Sequence, residues 1–186
     1  MRLGFFGGSF NPPHEGHKRI IEYCSKKFDK FLVIPNYNSP ETDKEVMVSY
    51  EHRCNMLKLQ LKRKKIYIDD YEAKSNQTNY TYLTIQYLKK KYKEYDIYMI
   101  LGKDQLNNLA NWCNLNFILD NVKLICFDRK IISNKNKQTY DVEYIDFKCS
   151  ISSTDIREKI KMGKSISCDI INAQVLDYIK ENNLYI

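Results

Sequence analysis

"GGSFNPPHEGH", residues 7–17, is the stretch on which the reading of this chain turns. It follows the apolar run Leu3–Phe6, so a strand ends in a glycine-rich turn. Gly7 and Gly8 tolerate positive φ and let backbone N–H groups approach a polyphosphate. Pro12 and Pro13 stiffen the turn and hold off helix until about His14. A helix starting there points the positive end of its dipole into the same space. His14 and His17 stand at i, i+3 on one face of the first turn, and Gly16 between them leaves room for a ligand against the backbone. Two imidazoles offer donors to phosphoryl oxygens and, when protonated, positive charge. Two plainer readings compete. One is a zinc pair, which would draw its other ligands from His52, scattered cysteines and carboxylates. The other is a pair of histidines that only cap the helix. The Walker pattern G-x-x-x-x-G-K-[ST] is absent, because "GKS" at 163–165 has Glu158 where the first glycine belongs.

Outward from that stretch, six apolar or aromatic runs recur: Leu3–Phe6, Phe31–Pro35, Ile66–Asp69, Ile97–Leu101, Val122–Phe127 and Val142–Phe147. Most are short and continuous, as in strands buried on both faces. Between them lie stripes of helical period: Ile20, Ile21, Cys24 and Phe28; Cys54, Leu57 and Leu61; Ile85, Leu88 and Tyr92; Ile171, Val175 and Ile179. The alternation predicts a doubly wound α/β fold, a parallel sheet of about six strands with helices on both faces. No internal repeat or boundary divides residues 1–186, so a single domain is expected. The polar stretches 36–45 and 129–141 read as mobile loops.

A hydrophobic fraction of 43% excludes a disordered chain. The six cysteines include no C-x-x-C pair and read as scattered buried thiols in a reducing compartment. No secretory signal and no apolar run long enough to cross a bilayer is seen, so the expected setting is cytoplasmic, without a membrane partner. The net charge of +7 suits polyanionic partners. The runs "KRKK" (62–65) and "KKK" (89–91) fall near helix ends, where cations favour the dipole, and read as solvated faces. They lack the interleaved aromatics of an RNA-binding sheet, so no nucleic-acid partner is expected.

A second constellation lies far along the chain, in "SISSTDIREKI", residues 150–160. Ser152, Ser153 and Thr154 are natural caps for a helix beginning around Asp155, and their hydroxyls and free N–H groups make an anion cradle. Arg157, one turn in, presents a fork of donors to phosphate oxygens. A plain capping box on a surface helix is the alternative. "KMGKS", 161–165, reads as the end of that helix with Gly163 as its cap.

These residues carry a resemblance. "GGSFNPPHEGH" is similar to the H-x-G-H signature of the nucleotidyltransferase superfamily, and "SISSTDIREKI" to its I-S-S-T-x-I-R segment. "NYTYLTIQYL", 79–88, resembles the [ST]-Y-T-x-x-T-L helix start of the nicotinate and nicotinamide mononucleotide adenylyltransferases. "MILGKDQLNNLANW", 99–112, resembles their G-x-D strand end followed by a tryptophan. Together the four motifs span nearly the whole chain.

The resemblance implies a Rossmann-like fold and an adenylyltransferase of NAD biosynthesis, which joins the AMP of ATP to nicotinate mononucleotide, or to nicotinamide mononucleotide, and releases pyrophosphate. It implies His14 and His17 at the α- and β-phosphates, with Ser153, Thr154 and Arg157 at the pyrophosphate end. Gly7, Gly8, Ser9 and Phe10 would contact the phosphates. Gly102 and Asp104 would border the adenosine ribose, although a helix N-cap is the alternative for Asp104. Trp112 would stack on the pyridine ring, or pack in the core; Tyr80, Thr81, Lys44 and Arg129 would complete the acceptor end. Mg²⁺ would arrive held by the ATP phosphates rather than in a protein cage. Self-association into a homo-oligomer is compatible with the sequence. The chain departs from the family pattern at Lys103, at Cys113 and in "NSPETDK", all toward the pyridine end. A pantetheine-phosphate adenylyltransferase and a basic nucleic-acid-binding module are the competing readings.

Overall fold

Runs that are apolar without alternation belong in a sheet covered on both faces. In the computed structural model, which describes residues 1–37, 47–61, 66–75, 78–128 and 140–186, six such strands form one parallel sheet. They are β1 (Arg2–Gly8), β2 (Lys30–Pro35), β3 (Ile66–Ile68), β4 (Asp96–Gly102), β5 (Lys123–Asp128) and β6 (Val142–Asp146). The order across the sheet is β3-β2-β1-β4-β5-β6. The chain thus winds to one edge, returns to the centre and winds to the other edge. Its switch point lies between β1 and β4, whose pairing ends at Phe6 opposite Ile100. Beyond that pair, the strand ends Gly7–Gly8 and Leu101–Gly102 flank the crevice where ligands bind in sheets of this order.

The helices are α1 (Glu15–Ser25), α2 (Tyr50–Gln60), α3 (Tyr71–Lys74), α4 (Thr81–Lys91), α5 (Lys103–Asn108), α6 (Leu115–Asn121), α7 (Ser153–Lys161) and α8 (Ala173–Glu181). Because strand side chains alternate with period two, each strand feeds two layers. Leu3, Phe5, Leu32, Ile34, Met99 and Leu101 point to one face, where Ile85 and Leu88 of α4 and Ile118 of α6 cover them. Phe6, Phe31, Val33, Ile100 and Ile125 point to the other, under Ile20, Ile21 and Cys24 of α1 and Leu57 of α2. Each such fully buried side chain contributes about 1.5–3 kcal/mol.

A third apolar cluster joins Met56 of α2 to Ile156 of α7 and to Val175 and Ile179 of α8. It docks α7 beside the first loop and so fixes where the second motif sits. Several expected helix positions fall outside the helices themselves. Phe28 follows α1, Leu61 and Tyr92 are the C-terminal caps of α2 and α4, and Ile171 precedes the cap of α8. Gly163 lies one residue past the C-cap Met162, at φ +64°, with Gly163 N–H on Ile160 O and Lys164 N–H on Lys159 O. That left-handed turn is what glycine permits there. All six cysteines are free; Cys24, Cys54 and Cys126 are buried, but Cys113 and Cys168 are exposed, against the expectation of buried thiols throughout. The run 89–91 does close α4, whereas the run 62–65 lies outside the described residues.

Candidate active site

The turn leaving β1 is short of donors of its own, because Pro12 and Pro13 carry no N–H. Its carbonyls are met from elsewhere. Arg53 of α2, fully buried, donates to Ser9 O at 2.8 Å and to Val48 O at 3.2 Å. The turn ends at His14, the N-cap of α1. His17 N–H donates to His14 Nδ1 at 3.4 Å, and His14 N–H donates to His17 Nδ1 at 3.3 Å. The two imidazoles therefore close a reciprocal cap, with their rings stacked at 3.7 Å. An Nδ1 that accepts holds no proton, which leaves Nε2–H as the donor of each ring in this arrangement. Burial, and then the neighbouring His14, push the pKa of His17 well below the usual imidazole value. His17 is thus a neutral donor at pH 7. The capping reading is realised, and both rings also line the cleft.

Gly16 lines the cleft, and the space where its side chain would stand is already filled. A Cβ there would lie 2.8 Å from Cys149 Sγ and 2.9 Å from His14 Cε1 and Nδ1. The missing side chain makes room for the His14 ring. Phe10 takes φ 48° and buries its ring edge-on against Phe6 and His17, at 5.6 and 5.0 Å, behind the cleft rather than on its wall.

The second motif meets the first directly. Of the three candidate caps Ser152 is the N-cap of α7, and its Oγ accepts from Thr154 N–H and Asp155 N–H at 3.2 and 3.4 Å. The Thr154 N–H, expected free for an anion, is thus already bonded. Ser153 Oγ donates to Pro12 O at 2.9 Å, and Arg157 Nη1 donates to Asn11 O at 2.8 Å. Arg157 Nη2 donates to Thr154 Oγ1 at 3.3 Å, and Thr154 itself is exposed and off the cleft wall. Asn11 Oδ1 accepts from Val48 N–H at 3.3 Å and from Tyr185 O–H at 2.8 Å.

Around these loops opens a cleft of about 1050 Å³ at the carboxyl ends of β1 and β4. Gly7, Gly8, Ser9, His14, His17, Ser152, Ser153 and Arg157 line its phosphate side; Gly102, Asp104, Tyr80, Thr81 and Trp112 line the remainder. Asp104 is the second residue of α5, whose N-cap is Gly102, so the capping alternative for Asp104 does not hold. Trp112 is half-buried against the core cluster yet reaches the cleft, and its buried Nε1–H finds no acceptor among the described residues. Lys44 and Arg129 lie outside the described residues.

Several cleft residues escaped the sequence reading of the site. Lys103 Nζ pairs with Asp128 Oδ2 at 2.9 Å across the ends of β4 and β5. Glu72, buried on α3, accepts from Tyr37 N–H and from Thr84 Oγ1, each at 3.2 Å. Asn11 and Arg53 hold the first turn. Asn11 sat inside the quoted stretch, and its place before two prolines was the signal available. Among the described residues no group of three or more His, Cys, Asp or Glu side chains could hold a metal ion. The N–H donors and imidazoles of the phosphate side suit anions instead.

Residues 5–159 match the family model described as cytidylyltransferase-like. A Clostridium tetani protein named "Probable nicotinate-nucleotide adenylyltransferase" is 35% identical over 200 residues, covering 99% of this chain and 98% of that protein. A Borreliella burgdorferi protein of the same name is 36% identical over 191 residues, covering 100% and 97%. Two solved structures of a Plasmodium falciparum nicotinic acid mononucleotide adenylyltransferase share the fold. The one complexed with APC matches with a TM-score of 0.83 at 22% identity, over 99% of this chain and 96% of that one. The one complexed with NaAD matches with a TM-score of 0.85 at 21% identity, over 99% and 97%.

Proposed function

The chain belongs to the nicotinate-nucleotide adenylyltransferase family of cytidylyltransferase-like proteins, and we propose that it joins the AMP moiety of ATP to nicotinate mononucleotide. One observation carries the mechanism. Two segments about 140 residues apart in the chain are bonded to each other, Arg157 to Asn11 O and Ser153 to Pro12 O, at the mouth of one cleft. Two anion-directed corners thereby face a single ligand.

A phosphate oxygen of the mononucleotide attacks the α-phosphorus of ATP. The new P–O bond forms as the bond to the bridging oxygen breaks, and pyrophosphate leaves with that electron pair. No protein nucleophile is required; the protein aligns two anions and stabilises charge on the leaving group. The Nε2–H donors of His14 and His17 serve the α- and β-phosphates, with the backbone of Gly7 and Gly8 and the hydroxyl of Ser9 beside them. Arg157 supplies the permanent charge at the pyrophosphate end. Ser152 and Ser153 hold the start of α7 in place, and Ser152 and Thr154 keep their hydroxyls within its first turn. Asp104 would accept from the ribose hydroxyls. Trp112, Tyr80 and Thr81 would receive the pyridine nucleoside. Mg²⁺ would enter held by the phosphates of the nucleotide substrate, since it keeps its waters. Six free thiols support a reducing, cytoplasmic setting.

The test is pyrophosphate release from ATP with nicotinate mononucleotide, nicotinamide mononucleotide and phosphopantetheine offered in parallel. Turnover is expected with the pyridine acceptors. Turnover with phosphopantetheine alone would overturn the assignment.

A further inference from the structure

Glu72 is a buried carboxyl on the wall of the cleft that the mechanism above leaves without a task. Its partner Thr84 stands three residues beyond Thr81 on α4, so the two threonines share a face one turn apart, about 5 Å along the axis. Asn36, Asn79, Tyr80 and Thr81 line the same cleft. Each neighbouring element contributes a defined group. The chain after β2 gives the Tyr37 N–H, α4 gives the Thr84 hydroxyl, α2 gives the positive charge of Arg53, and α3 gives the adjacent Tyr71 phenol. Among the described residues Glu72 makes no ion pair, so its charge is not neutralised by contact.

We infer that Glu72 sets the preference between acceptor rings, admitting an anionic pyridine carboxylate when its own carboxyl is protonated and disfavouring it when ionised. The inference rests on the adenylyl-transfer reading and refines its acceptor end. Two anionic carboxylates facing one another across a cleft repel, whereas a protonated acid can donate to a carboxylate. Burial raises the Glu72 pKa to about 7, against the hydrogen bonds from Tyr37 and Thr84 and the charge of Arg53, which lower it. The switch therefore falls near neutral pH. A carboxamide ring carries no such charge and does not respond to it.

The experiment measures kcat/KM for nicotinate and nicotinamide mononucleotide from pH 6 to 8.5 and takes their ratio. The phosphates of ATP and of both acceptors titrate alike and cancel in that ratio. In the parent protein the nicotinate-over-nicotinamide ratio should fall by roughly tenfold as pH rises through about 7, the effect of one like charge at protein-site dielectric. Glu72→Gln should flatten the curve at its acidic level. Thr84→Val removes a donor that favours the ionised acid, so its midpoint should move to higher pH. A flat ratio in the parent protein, or an equal fall in Glu72→Gln, overturns the inference while leaving adenylyl transfer intact. Absence of turnover with either ring overturns the activity reading and this inference together. Should Glu72→Gln fail to fold, the parent and Thr84→Val curves decide.

Discussion

Replacing Gly16 by alanine tests the geometry of the phosphate side with one methyl group. The new Cβ would meet Cys149 Sγ at 2.8 Å and the His14 ring at 2.9 Å. Carbon contacts are comfortable near 3.5 Å, so the ring must withdraw by roughly half an ångström. The cap from His17 N–H to His14 Nδ1 already spans 3.4 Å and would not survive that shift. Loss of the cap costs about 1 kcal/mol and overpacking about 1–3 kcal/mol. Alanine returns up to about 1 kcal/mol through its helix propensity. The net is a destabilisation of about 1–3 kcal/mol, read as a fall in Tm of about 3 °C per kcal/mol for a chain of this size. Turnover should fall further than stability. A donor misplaced by an ångström loses about a hundredfold, so kcat should drop by about ten- to a hundredfold. Steady-state pyrophosphate release and a thermal melt measure the two effects. Adding Cys149→Ala removes the sulfur contact but not the ring contact, so it should recover part of the stability and little of the turnover. A Gly16→Ala protein with kcat within about twofold of the parent, or full rescue of kcat by Cys149→Ala, would refute the argument.

Four further substitutions probe the cleft and the turn that borders it. Arg157→Ala should lower kcat by about a hundred- to a thousandfold, because a charged donor at the leaving group is lost, while Ser153→Ala, which removes only the tether to Pro12 O, should cost far less; equal losses in the two would assign Arg157 to positioning alone. Trp112→Ala should raise the KM for the mononucleotide while leaving that for ATP in place, at a stability cost of about 3 kcal/mol from the packing it gives up; an unchanged acceptor KM would make it a core residue only. Arg53→Met strips the donors from Ser9 O and Val48 O and should cost about 3 kcal/mol in urea denaturation, and an unshifted midpoint would show that the turn is held by something else.

The parts of this protein legible in its sequence are those with a local pattern. Six strands announced themselves as short apolar runs because both faces of the sheet are covered. Gly7 and Gly8 marked the strand end at the switch point, and the hydroxyls at 152–154 marked a helix start, correct to one or two residues. The errors arose where two roles fit one residue type. Gly16 faces the cleft as expected, but that its missing side chain also seats the His14 ring shows only once His14 is placed. Thr154 looked like a free donor because nothing in a sequence says that Ser152 turns back to occupy its N–H. No local pattern marks Glu72. Its burial depends on β2 and α4 closing over it, contacts reaching 35 residues back to Tyr37 and 12 forward to Thr84.

The prolines nevertheless contained a deduction that the coordinates make plain. Pro12 and Pro13 remove the N–H groups with which a turn ordinarily satisfies its own carbonyls, and buried carbonyls must find donors somewhere. Here Ser9 O, Asn11 O and Pro12 O are met by Arg53, Arg157 and Ser153 from α2 and α7. Two of those donors are guanidinium groups, which keep their charge and their fork of N–H bonds in a buried setting. Rigidity of the catalytic turn and positive potential beneath it therefore have one source. A variant that loosens the turn by removing either arginine should also weaken its hold on phosphate, so stability and nucleotide affinity should fall together at Arg53 and Arg157 and separately at Ser152, whose bonds stay within α7.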